Sequence, residues 1–199
     1  MKKPILYLMI GLPGAGKSTY TKRRTDAMIA SADEVRREWF GDAGLQYTTE
    51  FLNAHGIDPE RMTEPERNKA ANIIIWDEVF RRTEDWLSEG KNVVIDGINV
   101  LRSVRTNMIR QFCESAFIIG VWVTTDLETC LRRDGSRSRT VGEENLRRIA
   151  AQFRKPKLEE GFDILEERDK DGRLLKRTAR PGIPENLGLL PGEEPAYRQ

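Results

Sequence analysis

Histidine is almost missing. His55 is the single one among 199 residues, and the two cysteines, Cys113 and Cys130, have no companion His/Cys cluster. Structural zinc, a disulfide framework and histidine-based acid–base chemistry are therefore poorly supported, while two unpaired thiols fit a reducing cytoplasm. An excess of charge is missing too: 33 basic side chains face 32 acidic ones, for a net charge of +1. General affinity for nucleic acid is not expected, so any such binding must come from a local patch. Long apolar runs are also lacking. The longest, starting at Ile5 and at Ala116, extend about a dozen residues, whereas a bilayer span needs about 20. The opening Met1-Lys2-Lys3-Pro4 leads into an apolar run with no small-residue cleavage site, which argues against a signal peptide. A cytoplasmic protein with no membrane partner is expected. The length suits one α/β domain with an ordinary core, and a mean hydropathy of −0.59 fits a soluble chain.

Along the chain, apolar runs alternate with helical patterns. Ile5 to Ile10, Val93 to Ile95 and Phe117 to Val123 read as strands buried on both faces. Helices are expected from about Lys17 to Met28, near Asp33 to Phe40, from a capping box at Thr63-Glu64-Pro65-Glu66 to about Glu89, and over Ser103 to Phe112. Two more are expected, one after Asp126 to about Arg133 and one from Glu143 to Phe153, with Phe162 to Leu165 as a last strand. Residues 41–62 carry glycines and Pro59 without periodicity and read as a long loop with one helical turn. Beyond residue 180, four prolines among glycines read as a surface-draped or disordered tail. The expected architecture is a P-loop NTPase-type parallel sheet of about four to five strands, flanked by helices on both faces. The domain would span 1–180, carry an arginine-bearing lid, and leave 181–199 as the tail.

The strongest signal is Gly11-Leu12-Pro13-Gly14-Ala15-Gly16-Lys17-Ser18-Thr19, a complete P-loop pattern between an expected strand and an expected helix. Its glycines let backbone N–H groups wrap a phosphate chain. Lys17 would neutralise the β- and γ-phosphates, and Ser18 would ligate Mg²⁺. The pattern implies ATP or another nucleoside triphosphate and is silent about what receives the phosphate.

Three further signals bear on the acceptor and the metal. In Ser31-Ala32-Asp33-Glu34-Val35-Arg36, a carboxylate and an arginine share a helical face. The pair reads either as a general base with a phosphate-gripping arginine or as a helix cap with a solvated arginine. Asp96 ends an apolar strand, with Asn99 three residues on; that is where P-loop enzymes hold the carboxylate that orients Mg²⁺, and also where a plain Asp-Gly turn would sit. Arg132-Arg133-Asp134-Gly135-Ser136-Arg137-Ser138-Arg139-Thr140 reads as an arginine lid able to close over a triphosphate. Arg147 and Arg148, beside Glu143 and Glu144, read as a solvated face.

Together these segments resemble the 5′-polynucleotide kinase branch of the P-loop kinases, bacteriophage and bacterial enzymes that phosphorylate 5′-hydroxyl ends of DNA or RNA. The likeness covers residue 5 to about residue 166 and is carried by Gly11–Thr19, Asp33-x-x-Arg36, Asp96-x-x-Asn99, Arg133, Arg137 and Arg139, and the closing Pro156-Lys157-Leu158-Glu159-Glu160-Gly161-Phe162-Asp163. By that resemblance, Asp33 would be the general base, Arg36 would grip the acceptor's phosphate, and Asp96 and Asn99 would also bind the acceptor. Arg133, Arg137 and Arg139 would bind ATP, with Arg137 the catalytic lid arginine, and Ser18 and Asp96 would hold Mg²⁺. A nucleic-acid acceptor follows, in a bacterial or phage-infected cell, and no partner protein is indicated. Small P-loop relatives also act on nucleosides, sugars, antibiotics or modified bases, so a kinase of a hydroxymethylated base in phage-type DNA (the 5-hydroxymethyluracil type) or of a small hydroxyl compound is the alternative. A nucleotide-driven switch that transfers nothing is the non-enzymatic one, and it would need no acceptor base. Phage repair enzymes add a phosphatase marked by Asp-x-Asp-Gly-Thr. Here Asp169-Lys170-Asp171-Gly172 continues with Arg173 and only 26 further residues, so a tight turn between two short strands is expected instead.

Overall fold

The computed structural model describes residues 3–42, 44, 46–136 and 140–194. They form two compact units, one built from Met1–Ile29 with Trp86–Gln199, the other from Ala30–Asp85.

The first unit is organised by a six-stranded sheet in the order β2-β3-β1-β4-β5-β6. The strands are β1 (Ile5–Ile10), β2 (Ala27–Ser31), β3 (Asn92–Asp96), β4 (Phe117–Val123), β5 (Ile164–Arg168) and β6 (Leu174–Ala179). β3, β1, β4 and β5 run parallel and β6 returns antiparallel. Tyr7 at the centre of β1 registers with Val94 on one side and Ile119 on the other. All six residues of β1 are buried, as expected for a strand covered on both faces, where alternation has no solvent side to report. The parallel connections require crossovers, and helices supply them on either face. These are α1 (Lys17–Thr21), α5 (Arg102–Phe112), α6 (Leu127–Gly135) and α7 (Glu143–Gln152). One continuous cluster joins Tyr7, Met9, Ile119 and Val121 of the sheet to Tyr20, Cys130 and Leu146 of the helices.

Two local expectations need correction. The helix after the P-loop is one turn and a half, Lys17–Thr21, and the chain re-enters the sheet at Ala27 as β2. β2 is only partly buried, so its short sequence lacks the apolar density that marks the inner strands. The sheet therefore has six strands, one more than the upper expectation, and β2 is the strand that was not expected. Asp169 to Gly172 forms the turn between β5 and β6, as its sequence implied.

The C-terminal segment also differs from its composition. Leu187 and Leu190 are buried in the main cluster. Three arginines fasten the backbone around them: Arg24 donates to the Gly188 carbonyl at 2.9 Å, Arg177 donates to the Leu187 carbonyl, and Arg168 forks onto Glu193 at 2.8 Å through each of two nitrogens. Gly188 has φ +72°, and a Cβ there would overlap Ile119 and the Tyr7 hydroxyl, so only glycine brings the strap this close. Burial pushes the Tyr7 and Tyr20 hydroxyls well above the usual tyrosine range, which keeps them neutral beside this charge cluster.

The second unit holds α2 (Ala32–Phe40), α3 (Thr49–Ala54) and most of α4 (Glu64–Ser88). The capping-box expectation for α4 is met on its return arm, Glu66 accepting from the Thr63 N–H at 2.8 Å. Residues 41–62 contain more order than the expected single turn: α3 is capped by Thr48, and a 3₁₀ turn covers Pro59–Arg61. Arg67 fastens this stretch by donating to the Tyr47 hydroxyl at 2.9 Å and to the Pro59 and Met62 carbonyls at 2.9 and 2.7 Å.

Candidate active site

The P-loop leaves β1 at Gly11 and runs into α1. Gly16 adopts φ +109°, and a methyl group there would overlap the Lys170 carbonyl of the β5–β6 turn; backbone conformation and space both demand glycine. The loop is gripped from outside. The Thr125 hydroxyl donates to the Ala15 carbonyl at 2.6 Å, and Arg133 Nη1 donates to the Gly14 and Ala15 carbonyls at 3.2 and 3.4 Å. Because a trans peptide places C=O and the next N–H on opposite sides, holding the Ala15 carbonyl outward turns the Gly16 N–H inward. The Thr19 N–H closes back on the Gly16 carbonyl at 2.9 Å, while the Lys17 and Ser18 N–H groups have no carbonyl of α1 behind them. Lys17 Nζ donates to the Gly11 and Leu12 carbonyls at 2.9 Å each, which sets the ammonium across the start of the loop. The result is a cradle for a polyphosphate.

The end of β3 is tied to the same loop. Gly11 N–H donates to the Ile98 carbonyl at 3.0 Å, and Asn99 Nδ2 donates to the Met9 carbonyl at 2.7 Å. Asn99 is buried, at φ +42°. Arg105 then holds the Asn99 and Val100 carbonyls at 3.0 Å each and forks onto Glu160 at 2.7 Å through two nitrogens. Both side chains of this ion pair are essentially inaccessible. This chain of bonds fixes residues 96–100, and Asp96 with them, against the start of the P-loop. Mg²⁺ accompanying a triphosphate needs few protein ligands, all hard oxygens. Ser18 is exposed near the start of α1, Asp96 ends β3, and α1 touches β3. These donors fit the ion.

Asp33 and Arg36 lie in the second unit, on α2. The helix is capped by Ser31, whose hydroxyl accepts from the Asp33 N–H at 3.2 Å. Asp33 is thus not the cap, and Arg36 is not solvated: its side chain is 8% exposed against 60% for Asp33. Arg36 Nη1 lies 3.3 Å from Asp33 Oδ1, and Nη2 donates to Asn72 Oδ1 at 3.0 Å. The reading of this pair as a cap with a solvated arginine fails on both counts. What stands is an exposed carboxylate with a buried guanidinium beside it.

Among the other sequence candidates, Gly11, Pro13, Gly14, Ala15, Gly16, Lys17, Ser18, Thr19, Asp96, Asn99 and Arg133 all belong to the first unit. Arg137 and Arg139 lie outside the described residues. Two contributors had no signal in the sequence: Thr125 and Arg105. Glu160 stood inside the closing Pro156–Asp163 motif, and its buried partner explains its place there. Asp163 has a comparable duty, accepting from the Ile118 N–H at 2.8 Å and from Arg180 at 2.5 Å.

Residues 6–156 match the AAA domain family (AAA_33). The chain belongs to that family, and its fold is that of the P-loop NTPases. Family and motif together imply ATP with Mg²⁺ as the ligand of the cradle. No curated protein sequence matches significantly. Among solved structures, the chain is similar to the PezAT chromosomal toxin–antitoxin system of Streptococcus pneumoniae, at 17% identity and TM-score 0.59 over 89% of this chain and 72% of that one. It is similar to a sugar kinase from Janibacter sp. HTCC2649, at 14% identity and TM-score 0.55 over 84% and 86%. It is also similar to a chain of the Pnkp1/Rnl/Hen1 RNA repair complex, at 21% identity and TM-score 0.53 over 76% of this chain and 44% of that one. At these identities the likeness is one of fold. Among the described residues no helix is long and apolar enough to cross a membrane.

Proposed function

We propose that the protein is an ATP-dependent kinase that transfers the γ-phosphate to a hydroxyl, and that this hydroxyl is the 5′-OH of DNA or RNA. The observation that carries the reading is the Asp33–Arg36 pair, an exposed carboxylate held by a buried guanidinium at the start of α2, in a chain with a complete P-loop. A nucleotide switch has no use for such a pair; a kinase does. Asp33 takes the proton of the attacking hydroxyl as the oxygen–phosphorus bond forms and ADP departs. Arg36 offers its guanidinium to a phosphate next to the reacting hydroxyl, which favours polynucleotide ends and 3′-nucleotides over plain nucleosides. Lys17 and the inward N–H groups hold the β- and γ-phosphates, and Arg137 supplies charge to stabilise the transferring group. When bound to Ser18 and Asp96, Mg²⁺ would neutralise charge on the two phosphates.

The experiment is a transfer assay with labelled ATP and a panel of acceptors: a DNA strand with a free 5′-hydroxyl, the same strand blocked at its 5′ end with and without internal hydroxymethyl bases, a nucleoside and simple sugars. Label on the free 5′ end alone is expected. Transfer that survives blocking and requires the hydroxymethyl base overturns the 5′-end assignment in favour of base modification. Transfer to sugars alone does the same in favour of a small-molecule kinase.

A further inference from the structure

The second unit contains a pocket of ≈ 460 Å³ lined by Trp39, Phe40, Thr48, Glu50, Phe51 and His55. Its volume lies within the range of small-molecule sites, about 300–1,000 Å³. Four of its six lining residues carry planar rings. Phe51 sits at their centre, with ring centroids 5.5 Å from Trp39, 5.1 Å from Phe40 and 4.4 Å from His55. The rings are tilted or edge-on to one another, and Trp39 remains 38% exposed. Such an open aromatic cluster offers ring faces to a ligand.

The lining decides which ligand. Among the described residues no lysine or arginine lines the pocket, so its lining does not favour phosphate. Its charged member is Glu50, which accepts hydrogen bonds and matches amino-bearing ligand edges. The Thr48 hydroxyl is already committed to capping α3, accepting from Phe51 N–H at 3.1 Å. A flat, uncharged ring with N–H donors on its edge meets these conditions, and a nucleobase is such a ring.

Position supplies the second argument. Asp33, Arg36 and Phe40 follow one another on α2 at i, i+3 and i+7, and so share one face. At 1.5 Å per residue, Phe40 lies about 10 Å along the axis from Asp33. That distance is the rise of about three nucleotides in a stacked strand, fewer if they are unstacked. A hydroxyl at Asp33, a phosphate at Arg36 and a base at the aromatic pocket fall in the order in which a polynucleotide 5′ end presents them.

We infer that the Trp39–Phe40–Phe51–His55 pocket is a base-stacking subsite for one of the first nucleotides of the acceptor strand. The inference rests on the reading of Asp33 and Arg36 as the acceptor pair, and it makes the acceptor a nucleic acid by its base as well as by its phosphate.

The test separates binding from transfer. A fluorescently labelled 5′-OH oligonucleotide and its twin, abasic at the first three 5′ positions, are titrated without ATP and then assayed for phosphorylation. Stacking of one base supports a preference of about 10–100-fold for the base-bearing strand, in Kd and in KM, with kcat little changed. Trp39→Ala and Phe51→Ala should erase that preference, and Trp39→Phe should restore most of it; unchanged circular dichroism establishes folding. If the Ala variants raise KM equally for both strands, or for neither, the subsite assignment is wrong even where transfer proceeds. Base-dependent binding through Trp39 without transfer would leave the subsite standing and overturn the kinase reading.

Discussion

Lys17 reaches back over its own loop to two carbonyls, so removing it takes a charge from the cradle and leaves the core untouched. Lys17→Ala should therefore abolish phosphoryl transfer with an unaltered circular dichroism spectrum. Asp33→Asn should lower kcat by about 10²–10⁴-fold, the usual worth of a positioned base, and leave the ATP dissociation constant nearly unchanged. A collapse of ATP affinity with the rate per bound complex preserved would reassign Asp33 to structure. Arg133 makes a different prediction. Its guanidinium bonds the outside of the P-loop at Gly14 and Ala15, and a charged hydrogen bond is worth about 1.5–3 kcal/mol. Arg133→Ala should weaken ATP binding by about 10–150-fold in calorimetry. Arg147, exposed and paired with Glu143, should tolerate the same change with little effect.

At the level of elements, one buried ion pair orders the active edge of the sheet. Arg105 on α5 and Glu160 brace the turn after β3 that carries Asp96. Removing one partner of a buried pair strands the other charge, at a cost of about 3–5 kcal/mol. Glu160→Ala should lower the urea midpoint accordingly, whereas the double variant Arg105→Met with Glu160→Leu should recover much of the loss, because two apolar side chains carry no stranded charge. The aromatic ends of α2 and α3 show a parallel division of labour. α2 carries Asp33 and Glu34 in its first turn and lines the pocket with Trp39 and Phe40 in its last.

At the level of the molecule, acid is the condition that unpicks the fold at defined points. Hydrogen bonding by Arg81, opposed by partial burial and reinforced by Arg82, holds the Glu78 carboxyl at about 2. Burial would raise Glu193, but Arg168 outweighs it and holds that carboxyl below its ordinary value. A carboxyl depressed in the folded state stabilises the protein fully above its unfolded value, about 4.3, and loses that contribution as pH falls toward the folded value. The thermal midpoint should therefore fall as pH drops from about 4.3 toward 2, and Glu78→Gln should flatten the decline. Glu193→Gln should flatten it as well, and should release the C-terminal strap to proteolysis already at neutral pH, since Arg168 keeps its ion pair with Glu166 but loses the one that ties it to the strap.

The sequence by itself determined the parts of this protein whose physics is local. Apolar runs that end in glycine or aspartate read as inner strands, and Gly11 to Thr19 has the spacing of a P-loop between a strand and a helix. Asp126 announced its helix because a side-chain cap acts within three residues, accepting here from the Thr129 N–H at 2.7 Å. Contacts between distant residues left no such mark. Nothing near Arg105 points to Glu160, 55 positions on, and nothing in a proline- and glycine-rich segment says that Leu187 and Leu190 will fill a gap beside Tyr7 and Ile119. The Asp33–Arg36 spacing was legible, yet cap and base readings were equally consistent with it. The fold removes the cap reading, by giving the cap to Ser31 and burying Arg36 beside Asn72. Burial is a property of the whole arrangement, and it decides whether a charged side chain is solvated or held in place.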